Sequence, residues 1–419
     1  MVPILLDFLR RRLIVNKRKM EKILKDTAYV RTGGSAEELK CAEYLKALFS
    51  DIGLEANLEE FEVDMADMKE AILWIDGKEV KCKGYLNAGC HDIEAPIYYL
   101  ATKDAYSLKQ CSGKIVLLDE GLKYWMFHDL IANGAVGFIT YDGNANYADN
   151  DIDQKELRSY ISNGRKMAGV NINAKAAIEI VKNNAKTARI RLEQKECQGK
   201  SYNVIAEMPG EIDEWIVVNA HYDSTSLSTG AYDNMSGCIG VLGIAENMVK
   251  NKHKYGLIFI CHGSEERGLL GSKAYCKLYE NNKKIVLNIN MDMIGCIMGR
   301  LTAVCTSEEK LVHYIQYLAN ELGVGLEARD GIRSTDATVF ADYGIPAVSF
   351  AHYAPANTTT IHNRYDSIKV MSLENLKQDI DFITAFTEHM VNAKQCPVAK
   401  EIPDKLKEKI DIYFNRKRS

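Results

Sequence analysis

The sequence predicts an α/β protein with a mostly parallel or mixed central sheet, helices on both faces of that sheet, and a β-rich insert domain. Strand-like and helix-like segments alternate from about residue 200 to residue 393. The strands among them are nearly continuous apolar runs, which is typical of strands buried on both faces. At 419 residues the chain also exceeds one small core, so two or three domains are expected.

The first predicted element is a helix over residues 17–50. Its apolar residues have helical spacing, and Ser35 with Glu38 three positions later forms a capping-box pattern. Gly53 ends the helix, and "EANLEEFEV" then alternates like a strand. In the preceding "MVPILLDFLRRRLIV" the arginines follow the apolar run instead of preceding it. This order favours a capping helix or an interaction segment over a secretory signal.

A change in the sequence pattern near residue 65 predicts the insert domain. Short strand-like runs follow, separated by Gly, Asn and Asp, with brief helical stretches such as "YWMFHDLIANG". The simpler alternative is that this segment continues the first domain. The predicted domains are 1–64 (first part of the main domain), 65–199 (insert), 200–395 (main part) and 396–419 (charged tail, forming a solvated helix).

The main part alternates regularly between strand and helix. The predicted strands are "YNVIAEM", "WIVVNAH", "YGLIFICHG", "KIVLNINMDMIG" and "IPAVSFAH". The predicted helices are Met235 to Lys250, "LLGSKAYCKLY", "EKLVHYIQYLANELG" and residues 372–393.

Composition excludes some functions. A net charge of −4 and a pI near 6.2 provide no basic face for nucleic acid. No apolar run approaches the roughly eighteen residues of a membrane span. Eleven cysteines, an odd number without a CxxC pair, fit free thiols in a reducing compartment, so we expect a cytoplasmic protein. Either a monomer or a homo-oligomer fits the sequence.

Polar side chains recur in the loops after the predicted strands, where functional residues of open α/β sheets collect. They are His221, Asp223, Asp233, Glu265, Glu266, Asp292, His362 and Asp366. Each alone has an ordinary explanation, such as a helix N-cap for Asp233. Asp292 is harder to dismiss, because "NINMDMIG" would bury it and a buried carboxylate needs a positive partner.

A metal is the natural partner for this set. No cluster of Lys or Arg accompanies it, and Arg267 is the only nearby base. Mixed His and carboxylate ligands suit Zn²⁺, and five ligands with one shared carboxylate suit two ions about 3.5–4 Å apart. Of the adjacent Glu265 and Glu266, one can coordinate while the other acts as a general base. Asp223 would orient the imidazole of His221, and Asp366 would orient that of His362 in the same way.

Beyond these single residues, the motifs "HYDS", "DNMSG", "SEERGLLGS", "NMDMIG" and "HNRYD" stand in order along the chain. The "GIPA" of "STDATVFADYGIPAVSF" lies between the last two of them. Together they resemble the M28 family of di-zinc aminopeptidases over roughly residues 20–64 and 200–393. "CSGKIVLLDEG" and "DLIANGAVGFITYDG" in the insert are similar to a protease-associated (PA) domain.

The resemblance implies a zinc-exopeptidase fold and hydrolysis of N-terminal residues from peptide substrates. It implies two Zn²⁺ per chain, held by His221, Asp233, Glu266, Asp292 and His362. Asp233 would bridge the ions, with Glu266 and His362 on one of them and His221 and Asp292 on the other. Glu265 would accept a proton from a water bridging both. A cis peptide bond between Asp233 and Asn234 is also implied.

The substrate side departs from the family pattern. Ala337 follows Asp336 where His or Tyr is common, and Ile361 stands where some members have an oxyanion-stabilising Tyr. Tyr353 could take that role, as could Tyr365 or the metal alone. Arg333 could bind a substrate carbonyl or carboxylate, which leaves a carboxypeptidase open.

Beside the aminopeptidase and the carboxypeptidase, two further activities and one non-catalytic alternative remain. A deacylase or a glutaminyl cyclase would use the same metal ligands, because specificity lies in the pocket. A non-catalytic, receptor-like relative is the least favoured, since every ligand and the base are present.

Overall fold

The computed structural model describes residues 16–143, 151–279, 283–356, 358–399 and 401–418. Residues 1–15, which contain most of the expected capping or interaction segment, lie outside the described part. The chain forms two compact units. Unit 1 contains the residues through Phe61 together with Lys200–Lys417, and unit 2 contains Glu62–Gly199.

The helices are distributed over both units. They are α1 (Lys17–Asp26), α2 (Ala36–Asp51), α3 (Ala105–Lys109), α4 (Tyr124–Ala132), α5 (Ser159–Ser162), α6 (Ala174–Lys182), α7 (Ser236–Met248), α8 (Leu270–Tyr279), α9 (Glu309–Glu321), α10 (Asp336–Asp342), α11 (Leu373–Val391) and α12 (Asp404–Tyr413). Two short helical turns, Ala231–Met235 and Ile368–Val370, precede α7 and α11.

The strands alternate with these helices. They are β1 (Ala56–Ile75), β2 (Lys78–Val80), β3 (Lys83–Gly84), β4 (His91–Leu100), β5 (Ile115–Leu118), β6 (Gly137–Asp142), β7 (Ala168–Asn173), β8 (Thr187–Met208), β9 (Ile212–His221), β10 (Tyr255–His262), β11 (Ile285–Met291), β12 (Arg300–Thr306), β13 (Leu326–Asp330) and β14 (Ala347–Tyr353). By residue number, β1 and β8 contain the two points where the chain passes between the units.

The sheet of unit 1 is mixed, with the strand order β13-β12-β14-β11-β9-β10-β8. Its centre, β14-β11-β9-β10, is parallel. β8 runs antiparallel to β10 and β12 antiparallel to β14, while β13 is parallel to β12. The parallel centre brings the carboxyl ends of consecutive β-α units to the same edge.

Helices cover both faces of this sheet. Successive side chains of a strand point to opposite faces, so neighbouring residues of β9 contact different helices. Ile216 and Val218 of β9 share one apolar cluster with residues of α7 and α11. Val217, between them, packs in a second cluster with Tyr275 of α8 and Phe340 of α10. The predicted α/β class with a mixed, doubly covered sheet is confirmed.

The N-terminal helix differs from the prediction. Instead of one helix over residues 17–50, α1 and α2 are separated by residues 27–35. α1 ends at Asp26, well before Gly34, which adopts a positive φ of 82°. The Ser35 side chain then accepts the Glu38 N–H at 3.1 Å and starts α2. The cap signal was therefore correct, but it marks a second helix.

Two strands of unit 1 are absent from the sequence-based prediction, namely β12 and β13. β13 is an edge strand with the charged sequence "LEARD" and no fully buried residue. Neither charge nor burial distinguishes such a strand from a loop, and its pairing with β12 defines it.

The C-terminal tail forms the expected helix, α12, but it is not fully solvated. Leu406 and Ile410 are buried in a cluster with Ala337 and Ala341 of α10. Their i, i+4 spacing gives the charged segment one apolar stripe, and α12 packs on unit 1 through it.

Unit 2 has its own sheet and core. β4, β5, β6 and β7 are parallel neighbours, β3 runs antiparallel to β7, and residues 187–192 of β8 pair antiparallel with β4. Ile115, Phe138 and Val170 from three of these strands are completely buried. Unit 2 is thus an α/β unit, since α4 connects β5 to β6.

Within the described residues, no helix combines the length and the apolar character needed to cross a membrane. None of the eleven cysteines, all of which lie in the described part of the chain, forms a disulfide bond.

Candidate metal centre

The candidate site lies beyond the carboxyl ends of three adjacent parallel strands of unit 1. β9 ends at His221, which stands opposite His262 at the end of β10. Asp292 follows β11 directly, and Glu265 and Glu266 follow β10 after two residues. The parallel register therefore brings side chains from distant parts of the sequence to one edge.

Asp233 is shared by two groups of side chains that could each hold a metal ion. One group is His221, Asp233 and Asp292, and the other is Asp233, Glu266 and His362. The ligand atoms of each group lie within 4.8 Å of one another. Asp233 Oδ1 is 3.1 Å from His221 Nε2, and Asp233 Oδ2 is 3.2 Å from His362 Nε2. The two oxygens of one carboxylate thus face different imidazoles.

The donor atoms are of the types that zinc prefers, and their separations lie within a few tenths of an ångström of those in a zinc site. Zinc bonds of about 2.0–2.2 Å place neighbouring ligands of a tetrahedron about 3.3–3.6 Å apart. His362 Nε2 lies 3.1 Å from Glu266 Oε1, and His221 Nε2 lies 3.9 Å from Asp292 Oδ1. Imidazole nitrogens and carboxylate oxygens in this arrangement can hold two ions that share Asp233.

Electrostatics also favour a cation here. Burial raises the pKa of Asp292, an effect that Arg333 partly offsets. Burial by itself lowers the pKa of His362, but the carboxylates of Glu266 and Asp233 outweigh it and raise that pKa to about 11. The raised pKa values mean that these buried carboxyl and imidazole groups share protons when no metal is bound. A divalent cation at this place would displace those protons.

Glu265 lies beside His221 but belongs to neither ligand group. Its Oε2 lies 3.9 Å from His221 Nε2, and the side chain is buried, which raises its pKa well above the ordinary value. A carboxylate at this distance from a ligand can reach a molecule bound between the two groups.

Asp223 connects the two strand ends that carry His221 and Glu265. Its Oδ1 lies 3.4 Å from His221 Nδ1, the side expected from the sequence. Its carboxylate also accepts the main-chain N–H groups of Glu265 at 2.9 Å and Glu266 at 3.1 Å. Asp223 therefore holds the Glu-Glu turn as well as facing the imidazole.

Asp366 has a different place from the one expected. In the described chain its carboxylate accepts the N–H of Tyr232 at 2.8 Å, the N–H of Asp233 at 3.2 Å and the hydroxyl of Ser228 at 3.0 Å. Tyr232 and Asp233 belong to the short turn before α7, whose main-chain N–H groups need an acceptor. Asp366 thus supports Asp233, and His362 is not among its hydrogen-bond partners.

The expected substrate-side residues are more enclosed than the sequence suggests. Arg333 donates to the carbonyl of Asp292 at 2.8 Å, its guanidinium lies 4.8 Å from the Tyr353 ring, and its side chain is only 9% exposed. Asp336, the first residue of α10, is completely buried, which raises its pKa to about 7. Tyr365 is 65% exposed.

Asn234 is a site residue whose role the sequence did not reveal. Its Nδ2 donates to the Met291 carbonyl at 2.9 Å, and its Oδ1 accepts the Met293 N–H at 3.1 Å. It thereby supports the chain on both sides of Asp292. The peptide bond between Asp233 and Asn234 is cis, as the resemblance implied.

Two buried residues of the N-terminal segment, Arg31 and Glu38, were also missed. Arg31 bonds to the loop that follows His221, and Glu38 accepts the main-chain N–H of Ser264 at 2.9 Å. Their segment was predicted as continuous helix, and no sequence signal connects it with the strand ends. Arg267, expected to be the nearby base, donates to the Gly33 carbonyl at 3.2 Å.

Several known proteins are similar to this chain in sequence. Aminopeptidase YwaD of Bacillus subtilis (strain 168) is 26% identical over 413 residues, which cover 92% of this chain and 86% of the relative. Leucine aminopeptidase 1 of Aspergillus niger is 27% identical over 219 residues, covering 46% of this chain and 56% of the relative. This chain therefore matches about half the length of the fungal relative.

Solved structures share the fold. BSAP, a zinc aminopeptidase from Bacillus subtilis, has a TM-score of 0.77 at 23% identity, covering 94% of this chain and 100% of that chain. An aminopeptidase from Aneurinibacillus sp. strain AM-1 has a TM-score of 0.76 at 22% identity, with coverage of 92% and 96%. At these identities the likeness establishes the fold.

A family match includes every member of both ligand groups. Residues 203–387 match the model of peptidase family M28. Taken with the ordered motifs, this match makes residues 203–387 similar to peptidase family M28.

Proposed function

We propose that this protein is a two-zinc aminopeptidase that removes N-terminal residues from peptides. The observation that carries the proposal is the shared Asp233 carboxylate, with one oxygen toward His221 and the other toward His362. Glu265 lies outside both groups, with its Oε2 3.9 Å from the Nε2 of His221. Relatives named aminopeptidases, including one aligned over 92% of this chain, support the same reading.

Each residue has a distinct task in the proposed reaction. His221 and Asp292 would hold one zinc, Glu266 and His362 the other, and Asp233 both. When bound, zinc lowers the pKa of water and polarises a substrate carbonyl. Glu265 accepts the proton of the attacking water and delivers it to the leaving amine, a role that suits its raised pKa.

Asp223 keeps Glu265 in position for this proton transfer. Its carboxylate accepts the Glu265 N–H at 2.9 Å, so the general base stands on a main chain that is fixed from the neighbouring strand. A base must remain within hydrogen-bond reach of the reacting proton, and a mobile turn would lose that geometry.

The charges of the site favour a substrate amine over a substrate carboxylate. The buried carboxylates of Asp223, Glu265 and Asp336 accompany the acidic ligands. Arg333, the residue that would favour a carboxypeptidase, donates to the Asp292 carbonyl and is largely enclosed. A free ammonium group therefore suits this site better than a carboxylate does.

The test compares matched substrates. Amino-acid p-nitroanilides and a short peptide are incubated with purified protein, alongside the N-acetylated peptide, with and without chelator. We expect release of the N-terminal residue from the free peptide, no cleavage of the acetylated form, loss of activity with chelator, and about two zinc ions per chain. Release of a C-terminal residue, or equal cleavage of the acetylated peptide, would contradict the proposal.

We also propose that unit 2 is a PA-like domain. β5, α4 and β6 follow one another in the order of the motif "GKIVLLDEG…DLIANGAVGFITYDG". Unit 2 has its own apolar core, so residues 62–199 expressed alone should unfold cooperatively on heating. A broad, non-cooperative melt would argue against an independent domain.

A further inference from the structure

Arg31 has an unusual environment for a charged residue. It lies between α1 and α2, and its side chain is completely buried. In the described chain all hydrogen bonds of its guanidinium go to main-chain carbonyl oxygens. Two acceptors are near it in sequence, Thr27 at 3.1 Å and Tyr29 at 3.3 Å.

The remaining acceptors lie in the loop between His221 and Asp233. Nε donates to the carbonyl of Tyr222, Nη1 to that of Thr229, and Nη2 to that of Gly230 at 2.8 Å. One guanidinium therefore binds the first residue after His221 and the residues just before Asp233. It joins the two ends of the loop.

The main chain of Arg31 strengthens the same connection. Its N–H donates to Ser224 Oγ at 3.1 Å, and its carbonyl accepts the Ser224 N–H at 3.2 Å. Gly230 leaves room for the guanidinium, because a Cβ there would lie 2.7 Å from Nη2. The contact is thus built from both sides.

Only arginine can make this set of bonds. Buried carbonyl groups need donors, and a loop without helix or sheet pairing must find them elsewhere. The guanidinium is a planar fork with donors on three nitrogens, whereas the lysine ammonium concentrates its donors on one atom. A lysine at position 31 would keep the charge but could not reach both ends of the loop.

We propose that Arg31 is a positioning residue that fixes the separation of His221 and Asp233, and through it the zinc affinity of the centre. The inference rests on the proposed two-zinc function. Arg31 acts through the carbonyl groups of Tyr222, Thr229 and Gly230, and touches neither ligand side chain.

The test uses Arg31→Lys and Arg31→Met, with Leu45→Ala as the matched control. Leu45 is a completely buried residue of α2, so its truncation destabilises the same unit without removing a bond to the loop. Zinc affinity is measured by competition with a chromophoric chelator, and kcat and KM are measured at saturating zinc. Thermal melting reports the fold of each variant.

We expect both Arg31 variants to bind zinc about 10–100-fold more weakly, the range found when residues that orient metal ligands are changed. At saturating zinc, kcat should fall while KM changes by less than about threefold, because the loop positions reacting groups rather than the whole substrate. Leu45→Ala should keep wild-type zinc affinity within about twofold. The conservative variant Arg31→Lys should not restore the zinc affinity or the kcat of the wild type.

Wild-type zinc affinity and kcat in Arg31→Lys would overturn the proposal, as would an equal loss of affinity in Leu45→Ala. If neither Arg31 variant folds, Ser224→Ala decides, because it removes the acceptor of the Arg31 main-chain N–H and, besides that, only a local bond from the Ser224 hydroxyl to the Thr225 carbonyl. Unchanged zinc affinity in Ser224→Ala would then overturn it. A wild-type protein that binds no zinc would instead contradict the proposed function.

Discussion

The carboxylate of Asp223 accepts the main-chain N–H of Glu265 at 2.9 Å, although the two residues are 42 positions apart in the sequence. Asp223 follows β9 and Glu265 follows β10, so this bond joins the ends of two parallel strands. The same carboxylate faces His221 Nδ1 at 3.4 Å. One acidic side chain thus relates a proposed zinc ligand to the proposed general base.

Replacing Asp223 with Asn should weaken both the orientation of His221 and the positioning of Glu265. The amide has a single acceptor oxygen, so its NH₂ group would face one of the N–H groups of Glu265 and Glu266 that the carboxylate now accepts. We expect zinc affinity to fall about 10–100-fold, with a lower kcat. Chelator competition and initial rates measure these effects. Asp213→Asn, an exposed change on the same strand, is the control and should leave both unchanged.

Replacing Glu265 with Gln tests the general base. The side chain keeps its size but can no longer accept a proton, so kcat should fall about 10²–10⁴-fold. Zinc content, measured by metal analysis, should stay near two per chain. Glu266→Gln, by contrast, should lower the zinc content, since Glu266 lies in a ligand group. Retained turnover in Glu265→Gln would rule out the assigned role.

Removing the metal should destabilise the protein as well as inactivate it. Zinc that binds only the folded chain contributes about 2.7 kcal/mol at a free concentration 100 times its dissociation constant. Without it, the carboxylates around Asp233 repel one another. Thermal melts before and after dialysis against chelator should show a lower Tm, restored by added zinc. An unchanged Tm would indicate that the ligand groups bind no ion.

Glu38 should make the metal-free protein less stable as the pH rises. The residue is completely buried, and burial raises its pKa to about 8 from an ordinary value of 4.5. Because the folded-state pKa is the higher one, the stabilising contribution is complete below about pH 4.5 and is lost as the pH rises through about 8.

Glu38→Gln removes this titration and keeps an acceptor for Gly34, Ser201 or Ser264. Relative to the variant, wild-type unfolding free energy should fall by about 1.4 kcal/mol per pH unit within that window. Urea titrations of metal-free protein between pH 5 and pH 9 measure it. Parallel pH profiles for the two proteins would show that Glu38 is ionised throughout.

The tail helix α12 should contribute to the stability of unit 1. Leu406 is completely buried against α10, so Leu406→Ala should cost about 2–5 kcal/mol of unfolding free energy. Lys407→Ala, at an exposed neighbouring position, is the control and should cost much less. Equal effects of the two changes in urea unfolding would show that α12 is a solvated helix, as expected from the sequence.

Sequence patterns alone were sufficient to predict the α/β class and the candidate residues at the strand ends. Apolar runs that alternate with amphipathic helices predict a doubly covered sheet, and the parallel arrangement brings His221, Glu265 and Asp292 to one edge. These conclusions depend on local periodicity and on spacing along the chain. The same information could not locate β13, whose charged edge residues resemble a loop.

The residues that support the site could be identified only from the folded chain. Asp366 accepts N–H groups of the Asp233 turn, Arg333 pairs with the Asp292 carbonyl, and Arg31 reaches the loop after His221 from a segment about 190 residues earlier. The physical reason is that a hydrogen bond depends on the position of a carbonyl or N–H in space, and every residue type carries the same main-chain groups. Side-chain identity therefore indicates the proposed ligands, whereas their supports emerge only from the fold.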